Sequence, residues 1–200
     1  GLACFGSALK PHTIDTIAEL RNADFRCVMI TGDNVLTACH VAKQCGISES
    51  KAVQLVLQKR HESDKLEWHN HITHTVQDFD ENNWPEADLC ITGDLMVALQ
   101  EEHHIPLRVI AEKFIIYARV APNQKESILR AMKESGDITL MCGDGTNDVG
   151  ALKAANIGLA LISTDAQDKP AQTQQSQRRP QTVKELLEQQ QNEVDESNVR

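Results

Sequence analysis

The chain lacks what several large classes of protein require. No apolar run in its 200 residues approaches eighteen, about the length a helix needs to cross a bilayer, so this stretch offers no candidate membrane span. Positive charge is scarce, since 20 Lys and Arg face 29 Asp and Glu for a net charge of −9. A nucleic-acid binder needs a basic face to engage phosphates, and no nucleic-acid partner is expected. The six cysteines show no CxxC spacing. Several sit inside apolar runs such as Cys27-Val-Met-Ile and Leu89-Cys-Ile, which fits buried free thiols of a reducing compartment better than disulfides. The chain opens on Gly1 rather than Met, and no signal-peptide pattern follows. The sequence reads as a segment of something longer.

What is present is an alternation of two periods. Phe5 to Leu9 suits a short strand, and Pro11 opens a helix to about Arg21 with Ile14, Ile17, Ala18 and Leu20 as its apolar stripe. Arg26 to Ile30 reads as a buried parallel strand ending at Thr31-Gly32-Asp33. Asn34 can cap a second helix that Gly46 stops. Residues 50–88 break the rhythm. Val53, Leu55 and Leu57 alternate, and Leu66 with Trp68 can pair back on them, so the stretch reads as a β-hairpin insertion with a long polar connection to Pro85. The pattern then resumes with strands at 89–91, 114–118, 138–142 and 157–162, and helices at 94–101, after Pro122, and at 148–155. Strands alternating with helices imply right-handed crossovers, hence a doubly wound α/β fold with a parallel sheet over residues 1–162. Residues 165–200 hold nine glutamines and no aromatic. Such a segment cannot offset about 1–2 kcal/mol of backbone entropy per residue by burial, so 163–200 is expected to be a disordered polar tail.

Ligands of open parallel sheets bind beyond the carboxyl ends of the strands, and three polar clusters stand at such ends. In Gly143-Asp144-Gly145-Thr146-Asn147-Asp148, two glycines permit a tight turn, and the carboxylates of Asp144 and Asp148 suit Mg2+, which takes only one or two from a protein. Thr31 and Gly32 offer a hydroxyl and an open N–H to a phosphate oxygen just before a helix. Lys125, at the start of the helix after Arg119-Val120-Ala121-Pro122, can neutralise a phosphoryl group, and Arg119 can reach a second phosphate or a ribose hydroxyl. A second Thr-Gly-Asp, Thr92-Gly93-Asp94, is read as strand-end and cap chemistry. His61, His69, His71 and His74 lie in a polar stretch with no cysteine at ligand spacing, so zinc is set aside. His103-His104 read as a helix end, and Trp68 and Trp84 as a seal between insertion and sheet.

These clusters resemble a known family. Thr31-Gly32-Asp33-Asn34, Ala118-Arg119-Val120-Ala121-Pro122 leading to Lys125, and Met141-Cys142-Gly143-Asp144-Gly145-Thr146-Asn147-Asp148 are similar to the later phosphorylation-domain motifs of P-type ATPases, within the haloacid-dehalogenase-like superfamily. The flanking residues resemble the type-V class, and its endoplasmic-reticulum dislocase subclass in particular. The resemblance implies ATP and Mg2+ as cofactors, with Asp144 binding the ion and Asp148 close behind it. Thr31, Gly32, Lys125 and Asn147 would hold phosphoryl oxygens, while Asp33 and Arg119 would place the nucleotide. It further implies a parent embedded in the endoplasmic reticulum membrane through segments outside this chain. Nucleotide-binding, actuator and membrane domains of the same polypeptide would be the partners, and this segment would lie on the cytoplasmic side. The phosphorylated Asp of the family's Asp-Lys-Thr-Gly-Thr motif is not in these residues, so the chain alone is expected to hydrolyse no ATP. Cargo would be transmembrane segments or cations. A soluble phosphatase of the same superfamily and a non-catalytic module that binds phosphate or Mg2+ are the alternatives.

Overall fold

The structure, a computed structural model, describes residues 8–49, 51–60, 63 and 65–161. The first helix, α1 (Thr13–Asn22), starts two residues after Pro11, and none of its residues is buried. The expected apolar stripe is therefore half uncovered, with Ile14 55% exposed. Strand β1 (Met29–Ile30) is shorter than the apolar run that contains it. Helix α2 (Val35–Cys45) is capped as expected: the Asn34 side chain accepts from the Leu36 N–H at 2.9 Å, and Gly46 ends the helix at φ 83°.

Strands β2 (Gln54–Lys59) and β3 (Leu66–Asn70) form the expected hairpin, with Leu57 opposite Trp68. Two features of it depart from the sequence reading. The connection toward Pro85 contains a third strand, β4 (Thr75–Asp78), antiparallel to β3 and exposed throughout. The hairpin is also continuous with the main sheet, because β2 runs parallel to β5 (Asp88–Thr92). With a strand on either side and helices above and below, Gln54 to Leu57 are all buried, which hides the alternation expected of a one-sided strand.

Helix α3 (Gly93–Glu101) and a helix not foreseen, α4 (Leu107–Lys113), lead to β6 (Phe114–Ala118). Pro122 opens α5 (Pro122–Glu134), in the position where its missing N–H costs nothing. Strand β7 (Leu140–Gly143), a short 3-10 turn (Thr146–Asp148), α6 (Val149–Ala154) and β8 (Ile157–Ala160) complete the described chain. The strand expected at 5–9 is not formed at residues 8 and 9; its other residues, His61 and the expected tail at 163–200 lie outside the described residues.

The strands make a six-stranded sheet in the order β1-β6-β5-β2-β3-β4 and a separate pair, β7-β8. The first four strands of the large sheet are mutually parallel, as are β7 and β8. On one face Leu55, Leu57, Trp68 and Phe114 pack with Met96 and Leu99 of α3, Ile110 of α4 and Ile128 of α5. On the other, Val56, Cys90 and Ile116 pack under Ala38, Cys39 and Ala42 of α2. Helices on both faces of a largely parallel sheet confirm the doubly wound α/β class. Trp68, 1% exposed, stacks edge-on with Trp84 and lies beside Phe79 and Phe114, so the tryptophans do seal the added strands against the core.

Between the two sheets lies a cavity of about 570 Å3, lined by Val28 and Ile30 on the β1 side and by Leu140, Met141 and Cys142 of β7. Among the described residues each of these strands is paired on one edge only. Leu140, 47% exposed, and Cys142 face outward with Leu159 of β8. Cys142, at the end of the strand expected at 138–142, is therefore exposed, the packing of this pair with α5 and α6 lying on the Met141 side. The five cysteines of the described residues are all free.

Candidate active site

The site is assembled where β1, β6 and β7 end. Beyond β1, the Thr31 N–H continues the sheet by donating to the Tyr117 carbonyl at 2.8 Å. The Thr31 hydroxyl accepts from the Asp33 N–H at 3.1 Å, which curls the chain toward α2. The loop after β6 is stitched to this turn. Arg119 donates its N–H to the Asp33 carbonyl at 2.9 Å, and Val120 donates to the Thr31 carbonyl at 3.1 Å. Arg119 takes a left-handed backbone, φ 49°, which turns the chain from strand toward helix.

Six residues after Arg119, Lys125 projects from the first turn of α5 and meets Asp148. Its ammonium Nζ donates to Asp148 Oδ1 at 2.7 Å, and both residues are only 5% exposed. Asp148 comes from the far side, at the end of the turn that follows β7, and its other oxygen accepts a longer contact, 3.4 Å, from the Gly145 N–H. Gly143 is what allows this approach. A Cβ there would lie 2.7–2.9 Å from Asp148 side-chain atoms, closer than real packing permits.

The three polar clusters foreseen from the sequence therefore adjoin one another, with Thr31 and Asp33 bonded to the loop that leads to Lys125, and Lys125 bonded to Asp148. Gly32 is exposed, and a Cβ added to it would meet nothing within 4 Å. Packing gives no reason for glycine there, and the space before its backbone is open to a ligand. Asp144 and Asn147 are exposed on the turn that ends at Asp148. Burial, and after it the carboxylates of Asp144 and Asp148, push the Cys142 thiol above its ordinary value, so the sulfur beside them is a neutral thiol.

The donors present fit Mg2+. Among the described residues no group of three or more His, Cys, Asp or Glu converges as a metal cage, and Mg2+ is bound through one or two carboxylates with its other positions left to water and phosphate oxygens. Asp144 is the exposed carboxylate. Asp148 spends one oxygen on Lys125, which makes it first the anchor of that ammonium.

Sequence reasoning missed two participants. The second Thr-Gly-Asp was read as cap chemistry, yet the Thr92 side chain makes no cap bond to α3. Its importance lies in Gly93, where a Cβ would stand 2.7 Å from the Arg119 carbonyl oxygen. Gln124 fills the space beside it, accepting from the Ala121 N–H at 2.8 Å and donating to the Gly93 carbonyl at 3.0 Å. The glutamine three residues after the helix N-cap was the available signal. His69, His71 and His103, by contrast, have their partners elsewhere. His69 pairs with Glu67 at 2.7 Å on β3, His71 meets Gln58 at 3.0 Å, and the His103 ring packs on Phe79.

Comparison with known proteins identifies relatives of the chain. The chain is 42% identical to the endoplasmic reticulum transmembrane helix translocase of Schizosaccharomyces pombe, over 84% of this chain and 14% of that protein. It is 40% identical to the translocase of the same name from Saccharomyces cerevisiae, over 82% of this chain and 14% of that one. Identity to the probable manganese-transporting ATPase PDR2 of Arabidopsis thaliana is 42%, again over 82% of this chain and 14% of the relative. The chain thus spans about one seventh of the length of these relatives, two translocases and an ATPase, in keeping with the resemblance carried by its three motifs. Residues 3–156 match the model of the haloacid dehalogenase-like hydrolases, and the chain belongs to that family.

Proposed function

We propose that the chain is the later part of the phosphorylation domain of an ATP-driven P-type membrane translocase. It would supply the side chains that hold a transferred phosphoryl group to an aspartate carried elsewhere in the parent. One observation carries this reading: the buried Lys125–Asp148 pair fixes an ammonium between the loop bonded to Thr31 and the turn that carries Asp144. Phosphoryl transfer asks a protein chiefly for positioning and for neutralisation of spread negative charge. A lysine already anchored by a carboxylate meets both needs, because it does not reorganise as charge moves. The Thr31 hydroxyl and the open Gly32 N–H would donate to phosphoryl oxygens, with Asn147 on the far side. Asp33 and Arg119 would orient the nucleotide. Mg2+, held by Asp144, would supply further charge neutralisation between carboxylate and phosphate.

The space between β1 and β7 supports the reading. A parallel strand inserted there would join both sheets and bring its carboxyl end to this rim, where an acceptor aspartate belongs. The names of the relatives point to transmembrane segments or cations as cargo of the parent and to the endoplasmic reticulum membrane; this segment would lie on its cytoplasmic side.

The test extends the chain upstream to include the parent's Asp-Lys-Thr-Gly-Thr segment and its nucleotide-binding domain. With radiolabelled ATP and Mg2+ the extended protein should form an acid-stable, hydroxylamine-labile phosphoenzyme, and Asp144→Ala should abolish it. Mg2+-dependent turnover by the 200-residue chain alone, lost in Asp144→Ala, would contradict the proposal and favour a self-sufficient phosphatase.

A further inference from the structure

We propose that Gln124 is a positioning residue, the brace that holds the Arg119–Ala121 loop against the end of β5 and so keeps Lys125 on Asp148. Its value for phosphoryl transfer rests on the function proposed above; the geometry stands independently. The loop is secured on its β1 side by two backbone bonds, from Arg119 to Asp33 and from Val120 to Thr31. On its β5 side the Gln124 amide spans the gap, accepting from the Ala121 N–H at 2.8 Å while donating to the Gly93 carbonyl at 3.0 Å. Gly93 completes the fit, since a Cβ there would lie 2.5 Å from Gln124 Oε1 and 2.7 Å from the Arg119 carbonyl oxygen. Arg119 is held between these anchors in a left-handed conformation that a residue with a side chain seldom adopts unaided.

Lys125 is the next residue along, and its own N–H donates to the Ala121 carbonyl at 3.0 Å. A loop that drifts from Gly93 therefore carries the first turn of α5 with it, and the Lys125 ammonium with that turn. The paired bonds of Gln124 also separate two roles. A helix cap needs only the acceptor facing Ala121, whereas the brace needs the donor facing Gly93 as well.

The experiment uses the whole 200-residue chain and reads the reactivity of individual lysines by pulsed acylation and peptide mass spectrometry. Lys133 is the internal control, because it lies on the same helix and its Nζ donates to the Ala154 carbonyl at 2.9 Å. Gln124→Ala and Gln124→Glu should each raise labelling of Lys125 about three- to tenfold, the scale of one hydrogen bond, with Lys133 unchanged. Gly93→Ala should do the same by pushing the loop away. Three results overturn the proposal: an equal rise at Lys133, which marks general loosening; wild-type labelling in Gln124→Glu, which reduces the residue to a cap; or protected Lys125 in Gly93→Ala. Labelling needs no ATP, so a failed phosphorylation assay leaves this inference standing, and the reverse holds too.

Discussion

Lys125 and Asp148 are accommodated at 5% exposure because each satisfies the other. Removing one partner leaves the other buried and unpaired, a loss of about 3–5 kcal/mol. Asp148→Ala should accordingly lower the urea midpoint sharply, and Lys125→Met combined with Asp148→Leu should recover much of the loss. The glycines of the rim divide the same way. Gly143→Ala drives a methyl into Asp148 and should cost about 1–3 kcal/mol. Gly32→Ala meets open space and should change stability by less than about 0.5 kcal/mol, while reducing phosphoenzyme formation by the upstream-extended protein. Most of this site was legible in the sequence, because Thr31, Lys125, Asp144 and Asp148 follow apolar runs where a parallel sheet must end. Gln124 and Gly93 were not, since their partners lie 31 residues apart and only folding reveals the pairing.

Among the elements, those that carry their own punctuation were legible. Asn34 and Gly46 bracket α2, and Pro122 opens α5. Strand β4 shows no apolar period because none of its four residues is buried, and α4 spans seven residues with no side-chain cap. The added strands carry their own acid sensitivity. Arg60 bonds Glu67 at 2.7 Å and Asp78 at 2.6 Å. Glu67 is held below the usual carboxylate range, first by its hydrogen bond from Arg60 and then by that from His69. A carboxyl whose value is lowered by folding stabilises the fold at neutral pH and loses that contribution as pH falls through and below the carboxylate range. Thermal melts from pH 7 down to pH 3 should therefore show a smaller decline in Glu67→Gln than in wild type. On the apolar side of the same strand, Trp68→Ala should cost about 3–5 kcal/mol by chemical denaturation, since it empties the centre of the Phe79, Trp84 and Phe114 cluster.

For the molecule as a whole, the alternation of strands and helices established the doubly wound class. Strand order was beyond reach, because periodicity says that a strand is buried without naming its neighbours. The separation of β7-β8 from the large sheet is the clearest case. Amides of β1 and β7 should exchange quickly with deuterium in the isolated chain and slow when the upstream segment is joined to it, while β5 and β6, paired on both edges, should be protected in either form.

That division has a mechanical consequence. Among the described residues no backbone bond joins the two sheets; they meet through side chains, with Ile30 resting on Met141, Leu129 and the alanines of α6. Oily surfaces slide where ladders lock. No rung fixes the distance between Thr31 and the ribbon bearing Asp144, so whatever wedges into the seam would set the gauge of the candidate site's mouth.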